Sequence, residues 1–263
     1  MTRGLLTFLS DFGVTSPYPA AMKAAAAAIC NARFVDISHG VPPGSVRGGA
    51  YLLWSVAPVC PVGTVHCAVV DPGVGTERAP LAITTGEQIF VGPDNGLLIP
   101  AARRLGIAGV YRLTEPAYWR HPVSTTFHGR DIFAPAAAHL ASGIPIASVG
   151  APASAFVDLA FPPGHVLGDH LRGEVLWVDT FGNMITSIPG ALLSVLAETA
   201  DLIVETARGS LRAATGRTFD DVPAGRGVVL VGSDGMVEVA LNRGNAAAQM
   251  AAEVGTMLRI RQR

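Results

Sequence analysis

The sequence predicts an N-terminal α/β domain followed by a smaller β-rich domain. Three observations lead there. Short β-branched runs alternate with glycine-punctuated loops and helical stretches through the first part of the chain, the pattern of an α/β unit built on a mixed, largely parallel sheet. The stretch Ala160-Phe161-Pro162-Pro163-Gly164-His165 reads as a linker and places the domains at residues 1–163 and 164–263. Beyond it come short strands separated by turn residues, the texture of a small barrel.

The elements follow in order. Leu5 to Leu9 is the first strand and ends in Ser10-Asp11-Phe12-Gly13. Alanine-rich composition makes Tyr18 to Cys30 a helix, because alanine loses no side-chain entropy on winding. Phe34 to Ile37 is a second strand, and a helix is expected from Ser45 to Val56. Thr64 to Val70 reads as a buried central strand that breaks on Asp71-Pro72-Gly73-Val74-Gly75, with Arg78 on the far side of the turn. Leu81 to Thr85 and Gln88 to Val91 flank Gly86-Glu87 as a hairpin. Leu97 to Leu105 is helical in pattern, Gly109 to Leu113 strand-like, and Ile132 to Ala141 helical. In the second domain Glu174 to Asp179, Leu202 to Thr206, Gly227 to Val231 and Val237 to Leu241 read as strands, with a helix at Ala191 to Thr199.

Composition narrows the function classes. Hydrophobic residues make up 49% of the 263 and charged residues 15%, so the chain has material for a sizeable core and is not disordered. A net charge of −1 offers no basic footprint for nucleic acid or an anionic membrane. The alanine tract Ala24 to Ala28 is too short to span a bilayer, and the N-terminal residues lack the long apolar run of a signal peptide. Cys30, Cys60 and Cys67 form no CxxC, which suggests buried thiols in a reducing compartment; a cytoplasmic location is expected.

Two stretches are dense in chemistry. Val69-Val70-Asp71-Pro72-Gly73-Val74-Gly75-Thr76-Glu77-Arg78 lies just beyond a strand's carboxyl end, where open α/β sheets bind ligands, although a plain structural turn accounts for the loop equally well. Ser124 to Asp131 sets hydroxyls, His128, Gly129, Arg130 and Asp131 at a helix start, a ligand mouth or an elaborate cap. Asp11 at the end of the first strand is placed to hold a sugar diol or to cap the next helix. Phe181 as a stacking face and Asn183 as a purine-reading amide are one reading of the Asp179–Asn183 loop, although turn chemistry alone is the favoured explanation for any one such loop. There is no GxxxxGK[ST], HExxH or GxSxG. The i, i+3 pairs Asp36/His39 and His128/Asp131 keep a metal hydrolase open as an alternative.

Read together, SDFG at Ser10–Gly13, the Tyr18-to-Lys23 segment, HGVPP at His39–Pro43, VVDPGVGTER at Val69–Arg78, PDNGLL at Pro93–Leu98, TTFHGRDIFAPAAA at Thr125–Ala138, DTFGN at Asp179–Asn183 and NRGNAA at Asn242–Ala247 resemble the S-adenosyl-L-methionine hydroxide adenosyltransferase family, relatives of bacterial fluorinase and chlorinase. The resemblance runs nearly end to end. It implies an N-terminal α/β domain and a C-terminal β-barrel. It also implies a homotrimer whose sites lie between one subunit's N-domain and its neighbour's C-domain. The implied reaction is displacement at C5′ of S-adenosylmethionine by water or hydroxide, giving adenosine and L-methionine with no cofactor and no metal.

The family's Asp–Arg–His triad falls on Asp71, Arg78 and His128, where halogenating relatives carry aromatic residues at the Asp and His positions. By the same resemblance Asp11 is the ribose-diol ligand, and Asp179 and Ser233 contact the methionine moiety. Phe181, Asn183 and Ala246 line the adenine pocket, with Tyr18 and Gly129 also at the substrate. Fluorinase has serine at the position of Gly129 but chlorinase has glycine, so a halide-using transferase stays open, as does a non-catalytic adenosine- or S-adenosylmethionine-binding protein. Asp234, where the halogenases have arginine, departs from their pattern. So does Thr186-Ser187, where the family often has Thr-Asn.

Overall fold

A computed structural model describes residues 4–196 and 201–263. The chain forms two compact units that divide between Ala160 and Phe161. The first contains β1 (Leu5–Ser10), α1 (Tyr18–Ala27), β2 (Arg33–Ser38), α2 (Val46–Val56), β3 (Val65–Val69), β4 (Pro80–Thr85), β5 (Ile89–Pro93), α3 (Ile99–Arg104), β6 (Ile107–Arg112) and α4 (Ala134–Ala141). Its six strands lie in the order β2-β1-β3-β5-β4-β6. Strands β2, β1, β3 and β5 are parallel, and β4 runs antiparallel to both β5 and β6, so the sheet is mixed and mostly parallel as the sequence predicts.

Strand β3 is buried along its whole length, which explains why it reads as an unbroken apolar run rather than an alternating one. Leu6, Phe8, Val65, Cys67 and Val69 share a core with Met22 and Ala26 of α1 and with Ala134, Ala136, Ala137, Ala138 and Leu140 of α4. Small alanines let these helices lie close to the strands. Helix α1 ends three residues before the sequence-predicted Cys30, because the N–H groups of Ile29 and Cys30 both turn back onto the Ala26 carbonyl. The expected helix at Ile132 opens earlier, as a π-helical turn over Gly129–Phe133 that leads into α4.

The second unit contains β7 (His165–Leu167), β8 (His170–Val178), β9 (Met184–Pro189), β10 (Leu202–Thr206), β11 (Ser210–Thr215), β12 (Gly227–Val231), β13 (Met236–Leu241), the short helix α5 (Ala246–Gln249) and β14 (Met257–Gln262). Seven strands run in the order β14-β10-β11-β12-β13-β9-β8, and β8 pairs back onto β14 to close a barrel. The nine-residue β8 makes closure possible. Its first half bonds β14 on one side and β7 on the other, and its second half bonds β9. Closing the sheet removes its edges and fills the interior with Leu171, Val175, Met184, Ile188, Val204, Val229, Val239 and Ile260. The helix expected at Ala191 to Thr199 is instead a 3₁₀ turn over Gly190–Val195, and its last three residues lie outside the described ones.

One polar group sits deep in the first unit. His66 of β3 is fully buried, stacked on Phe90 with ring centroids 4.7 Å apart. Gln88 spends both amide hydrogens on the carbonyls of Ala57 and Cys60, so its oxygen must accept the His66 Nε2–H at 2.8 Å. Nδ1 of His66 therefore accepts from the Thr7 hydroxyl at 2.7 Å. Burial lowers the His66 pKa to about 4, only partly opposed by the Gln88 hydrogen bond.

A folded pKa below the unfolded value near 6.5 means the unfolded chain takes up the proton first. The stabilisation is thus complete above about pH 6.5 and is lost as pH falls towards about 4. We expect the unfolding free energy to drop by on the order of 3 kcal/mol across that window. The His66 ring should remain neutral by NMR at about pH 5. A ring protonated there in the folded protein would contradict the assignment.

Candidate active site

The chemistry-bearing residues of the first unit gather past the carboxyl ends of β1 and β3, the position at which parallel sheets offer their strand ends to ligands. Asp71 follows β3 by two residues, and Arg78 precedes β4 by two. Between them the chain doubles back: Val74 N–H bonds the Asp71 carbonyl, and the Thr76 hydroxyl bonds the Gly73 carbonyl at 2.7 Å. Asn95 buttresses the turn by donating its side-chain amide to the Val70 carbonyl at 2.8 Å. Gly75 holds a positive φ of 79°, and a β-carbon there would lie 2.5 Å from the Thr125 carbonyl oxygen. Glycine thus lets the Asp71–Arg78 loop pack against the Thr125–His128 loop.

Arg78 is the centre of the cluster. Its Nε donates to both Asp71 oxygens, at 2.9 and 3.1 Å, and its Nη2 donates to Asp71 Oδ2. The same Nη2 donates to His128 Nδ1 at 2.8 Å. The Asp71 side chain is 4% exposed and that of Arg78 10%. The guanidinium carbon lies 4.9 Å from the centre of the Phe133 ring, which covers the cation on its other side. Sequence spacing puts Asp71 and Arg78 across a turn, but the structure makes arginine, rather than aspartate, the bridge to the histidine.

That geometry fixes the state of His128. A guanidinium has no acceptor, so Nδ1 must offer its lone pair, and in the neutral ring the proton is on Nε2. The ring's pKa is lowered, first by burial and then by the Arg78 charge, with Asp71 and Asp131 pulling weakly the other way. His128 therefore stands as a neutral ring presenting an N–H donor.

His128 enters from the loop that opens the π-helical turn, and Asp131 shapes that loop. The fully buried Asp131 carboxylate accepts from Arg120 at 3.0 Å, from Arg130 at 2.7 and 2.8 Å and from the Ser124 N–H at 2.9 Å. Burial pushes its pKa up, but the bonds from Arg130, Ser124 and Arg120 outweigh this and hold it below the usual carboxylate range. With its oxygens taken in this way, Asp131 is not available to ligate a metal alongside His128. The other candidate pair, Asp36 and His39, is engaged with Lys23 and Ser10. Among the described residues no three His, Cys, Asp or Glu side chains gather as a metal cage.

Asp71 and His128 line a cleft of about 330 Å³ with Asp11, Phe12, Tyr18, Val69, Phe127 and Gly129. Phe12, Tyr18 and Phe127 form a mutually edge-to-face trio with centroids 5.1 to 5.8 Å apart. Tyr18 is half exposed at the rim. A β-carbon on Gly129 would approach Met22 Sδ to 3.2 Å and the Phe12 ring to 3.3 Å, so a side chain there would crowd the floor. Phe12, Phe127 and Phe133 went unremarked as site residues in the sequence, although SDFG and TTFHGRDIF carry all three in plain view.

The second unit groups its own candidates. Phe181, 75% exposed, and the buried Asn183 line a cleft of about 460 Å³ with Phe219, Leu241, Asn242, Arg243 and Gly244. Asp179 organises that loop: its Oδ1 accepts the N–H groups of Phe181 and Asn183 at 2.9 and 2.8 Å, and its Oδ2 accepts the Asn183 amide at 2.9 Å. Ser233 lies exposed in the turn between β12 and β13, and Ala246 is buried at the first position of α5, whose cap is the Asn245 side chain. The barrel thus pairs Phe181 with Asn183, and Asp179 with both; Ser233 and Ala246 come from separate loops, and the start of α5 is tied to the Phe181 loop by the Ala247 N–H on the Gly182 carbonyl at 2.9 Å.

Known proteins match the chain along its length. A protein from Salinispora arenicola named (R)-S-adenosyl-L-methionine hydrolase is 44% identical over 260 residues, covering 97% of each chain. A more distant relative, a fluorinase from Nocardia brasiliensis, is 28% identical over 214 residues and 71% of each chain. The crystal structure of a conserved protein from Thermotoga maritima superposes with a TM-score of 0.92 at 36% identity, covering 98% of this chain and all of that one. The models for the SAM hydroxide adenosyltransferase N-terminal and C-terminal domains match residues 6–150 and 173–259, and the chain belongs to that family.

Proposed function

We propose that the protein hydrolyses S-adenosyl-L-methionine to adenosine and L-methionine, by attack of water or hydroxide on C5′. The observation that carries this reading is Arg78 held at once by Asp71 and His128 beside the cleft. The relative named (R)-S-adenosyl-L-methionine hydrolase, similar over 97% of both chains, supports the substrate. The substrate is a sulfonium cation. As the oxygen bonds to C5′, the C5′–S bond breaks and its electron pair returns to sulfur, which leaves as a neutral thioether. No acid is needed for departure. Attack by an oxygen anion annihilates charge, so a cleft that sheds water accelerates it.

The water proton needs an acceptor, and the triad supplies one. His128 presents an N–H rather than a lone pair to the cleft, so it orients the attacking oxygen by donating to it. Asp71 takes the proton. The attacking water becomes strongly acidic once its oxygen begins to bond to carbon. A weak base then suffices. Asp11 holds the ribose diol, Phe181 and Asn183 read the adenine, and Asp179 and Ser233 contact the methionine end. Reaction needs no metal or cofactor, and we place it in the cytoplasm, with Cys30, Cys60 and Cys67 as free thiols. No helix among the described residues is long and apolar enough to cross a membrane.

The reaction is tested in ¹⁸O-labelled water with chelator present. Adenosine should carry the label at its 5′ oxygen and methionine should appear in equal amount. Unlabelled adenosine, free adenine, loss of turnover with chelator, or 5′-chloro-5′-deoxyadenosine formed when chloride is added would each refute the reading.

The role of His128 is tested by a pair of variants. Glutamine can place an amide N–H where Nε2 was but cannot act as a base at neutral pH. His128→Gln should therefore keep kcat within about tenfold of the parent, while His128→Ala loses about 10²–10³-fold with little change in substrate binding. Equal loss in both would make His128 the base instead.

We propose further that the working form is a homotrimer, each site combining the first unit of one subunit with the second unit of its neighbour. The family resemblance and the division of candidate ligands between two separate clefts support this. Sedimentation should give a trimer. Mixing and reassembling His128→Ala, impaired in turnover, with Asn183→Ala, impaired in substrate binding, should restore kcat/KM to about a quarter of the parent value, because sites drawn from two unaltered units reappear. An active monomer, or no recovery in verified mixed oligomers, would refute it.

A further inference from the structure

A buried polar bracket lies behind the cleft carboxylate Asp11. Ser10, fully buried at the end of β1, has its hydroxyl 2.8 Å from His39 Nδ1, and His39 is itself only 7% exposed. The Ser10 oxygen also accepts the Phe12 N–H at 3.3 Å. The backbone carbonyl of His39 accepts the Gly13 N–H at 2.8 Å. Five residues beyond His39, at the other end of this segment, the Gly44 N–H donates to Asp11 Oδ2 at 2.8 Å from a backbone with φ of 73°, a conformation that suits glycine. Three rungs thus tie residues 10, 11 and 13 to the 39–44 segment. Two of them use His39, and they grip the chain on either side of Asp11.

The orientation of the rungs follows from the far side of the ring. His39 Nε2 lies 3.1 Å from Asp36 Oδ1, off the direction of a proper hydrogen bond, so the contact is electrostatic. An anion there favours the proton on Nε2 and leaves Nδ1 to accept from Ser10. Asp36 is in turn held by Lys23 of α1 at 2.9 Å. Burial raises its pKa, but the Lys23 hydrogen bond and the close approach of His39 more than offset this and lower it. Although Ser, His and Asp line up as in a hydrolytic triad, Ser10 has no exposed surface and cannot reach a substrate. An apolar pair would fill the same space without the cost of burying polar groups. What the hydrogen bonds add is direction, fixing the peptide on each side of Asp11.

We propose that His39 is a positioning residue for substrate recognition: held by Asp36 and bonded to Ser10 and Gly13, it sets the Asp11 carboxylate for a vicinal diol. Oδ2 is partly occupied by Gly44, so Oδ1 is the oxygen presented to the ligand with its full acceptor capacity. This inference rests on the reading of Asp11 as the ribose ligand. It implies that loosening the bracket costs recognition of the diol and leaves the chemistry at Asp71 and His128 intact.

The test compares adenosine with 2′,3′-dideoxyadenosine, which lacks the diol, by titration calorimetry on the full-length protein. Ser10→Ala and His39→Leu should each weaken adenosine binding about tenfold while changing the dideoxy ligand little. They should raise KM for S-adenosyl-L-methionine by a similar factor with kcat within about twofold. His39→Asn, whose side-chain oxygen falls near the Nδ1 position, should restore most of the loss. Ser10→Ala is a small change and carries the test if His39→Leu does not fold. Equal weakening of both ligands, no weakening of either, a fall in kcat at unchanged KM, or no rescue by asparagine would overturn the proposal. Asp11→Ala in the same assay separates the two layers. If it shows no preference for loss of the diol ligand, the ribose assignment falls and takes the bracket with it. If it shows that preference while Ser10 and His39 variants do not, the bracket alone falls. Turnover by the parent protein reports on the hydrolase reading independently.

Discussion

The site depends on the hydrogen bonds of a single guanidinium. Arg78 serves a carboxylate and an imidazole at the same time because its donors lie in a rigid plane and point in different directions. Lysine could neutralise Asp71, but an ammonium on a flexible stem would not hold two partners in one geometry. Burying such a pair is costly unless the attraction and the hydrogen bonds repay it. Here the repayment comes from the two-oxygen contact with Asp71, the His128 lone pair and the face of Phe133. Because arginine only donates, the orientation of the whole cluster follows: Asp71 and His128 accept from it, and His128 is left with its remaining proton on Nε2. A static arrangement of heavy atoms thus fixes a proton position, which is the link on which the proposed roles turn.

Secondary structure brings those three groups together with little freedom to move. Asp71 and Arg78 stand at opposite ends of the loop that joins β3 to β4, and that loop is pinned by Asn95 and packed onto Thr125 through Gly75. His128 is delivered by a loop that Asp131 ties to Arg120, Arg130 and Ser124. The π-helical turn at Gly129–Phe133 changes the facing of the following residues by part of a turn, and Phe133 arrives beneath Arg78. Two other sets of buried polar side chains are fully paired. His66, Thr7 and Gln88 form a closed set, and the buried hydroxyls of Thr186 and Ser187 find the Val237 carbonyl and the Glu174 N–H.

Most of the first unit was legible because its signals are local. The run before Asp71 has the composition of a doubly covered strand, and alanine content marks α1 and α4. The barrel was legible only in part. Its strand β9 was not expected: it contains Thr186 and Ser187, whose hydroxyls are satisfied only by partners on β13 and β8. Strand β14 does alternate, with Leu258 and Ile260 inward and Arg259 outward, and β11 alternates weakly; both were within reach of a stricter period count. At the site, the residues were legible as motifs, while their connectivity was not. That Arg78 rather than Asp71 touches His128 depends on two loops distant in sequence meeting at one depth, and no spacing rule encodes that. The His39 bracket was hidden for the same reason: Ser10 and His39 each sit in an obvious loop, and only the fold sets them face to face.

The same geometry bears on why water rather than a halide would be the nucleophile. A halide arrives as an anion with no proton to give up, and it is best served by donors alone. Water arrives neutral and must lose a proton, so it needs an acceptor close to the point of attack. In the proposed mechanism Asp71 supplies that acceptor, and to a halide the same carboxylate offers only repulsion, softened by Arg78. His128 and Arg78 supply donors that suit either nucleophile, so they do not discriminate. Gly129 adds little beyond room, since any side chain there meets Met22 and Phe12. On that proposal the choice of nucleophile falls on Asp71, and on the guanidinium that keeps its carboxylate in place.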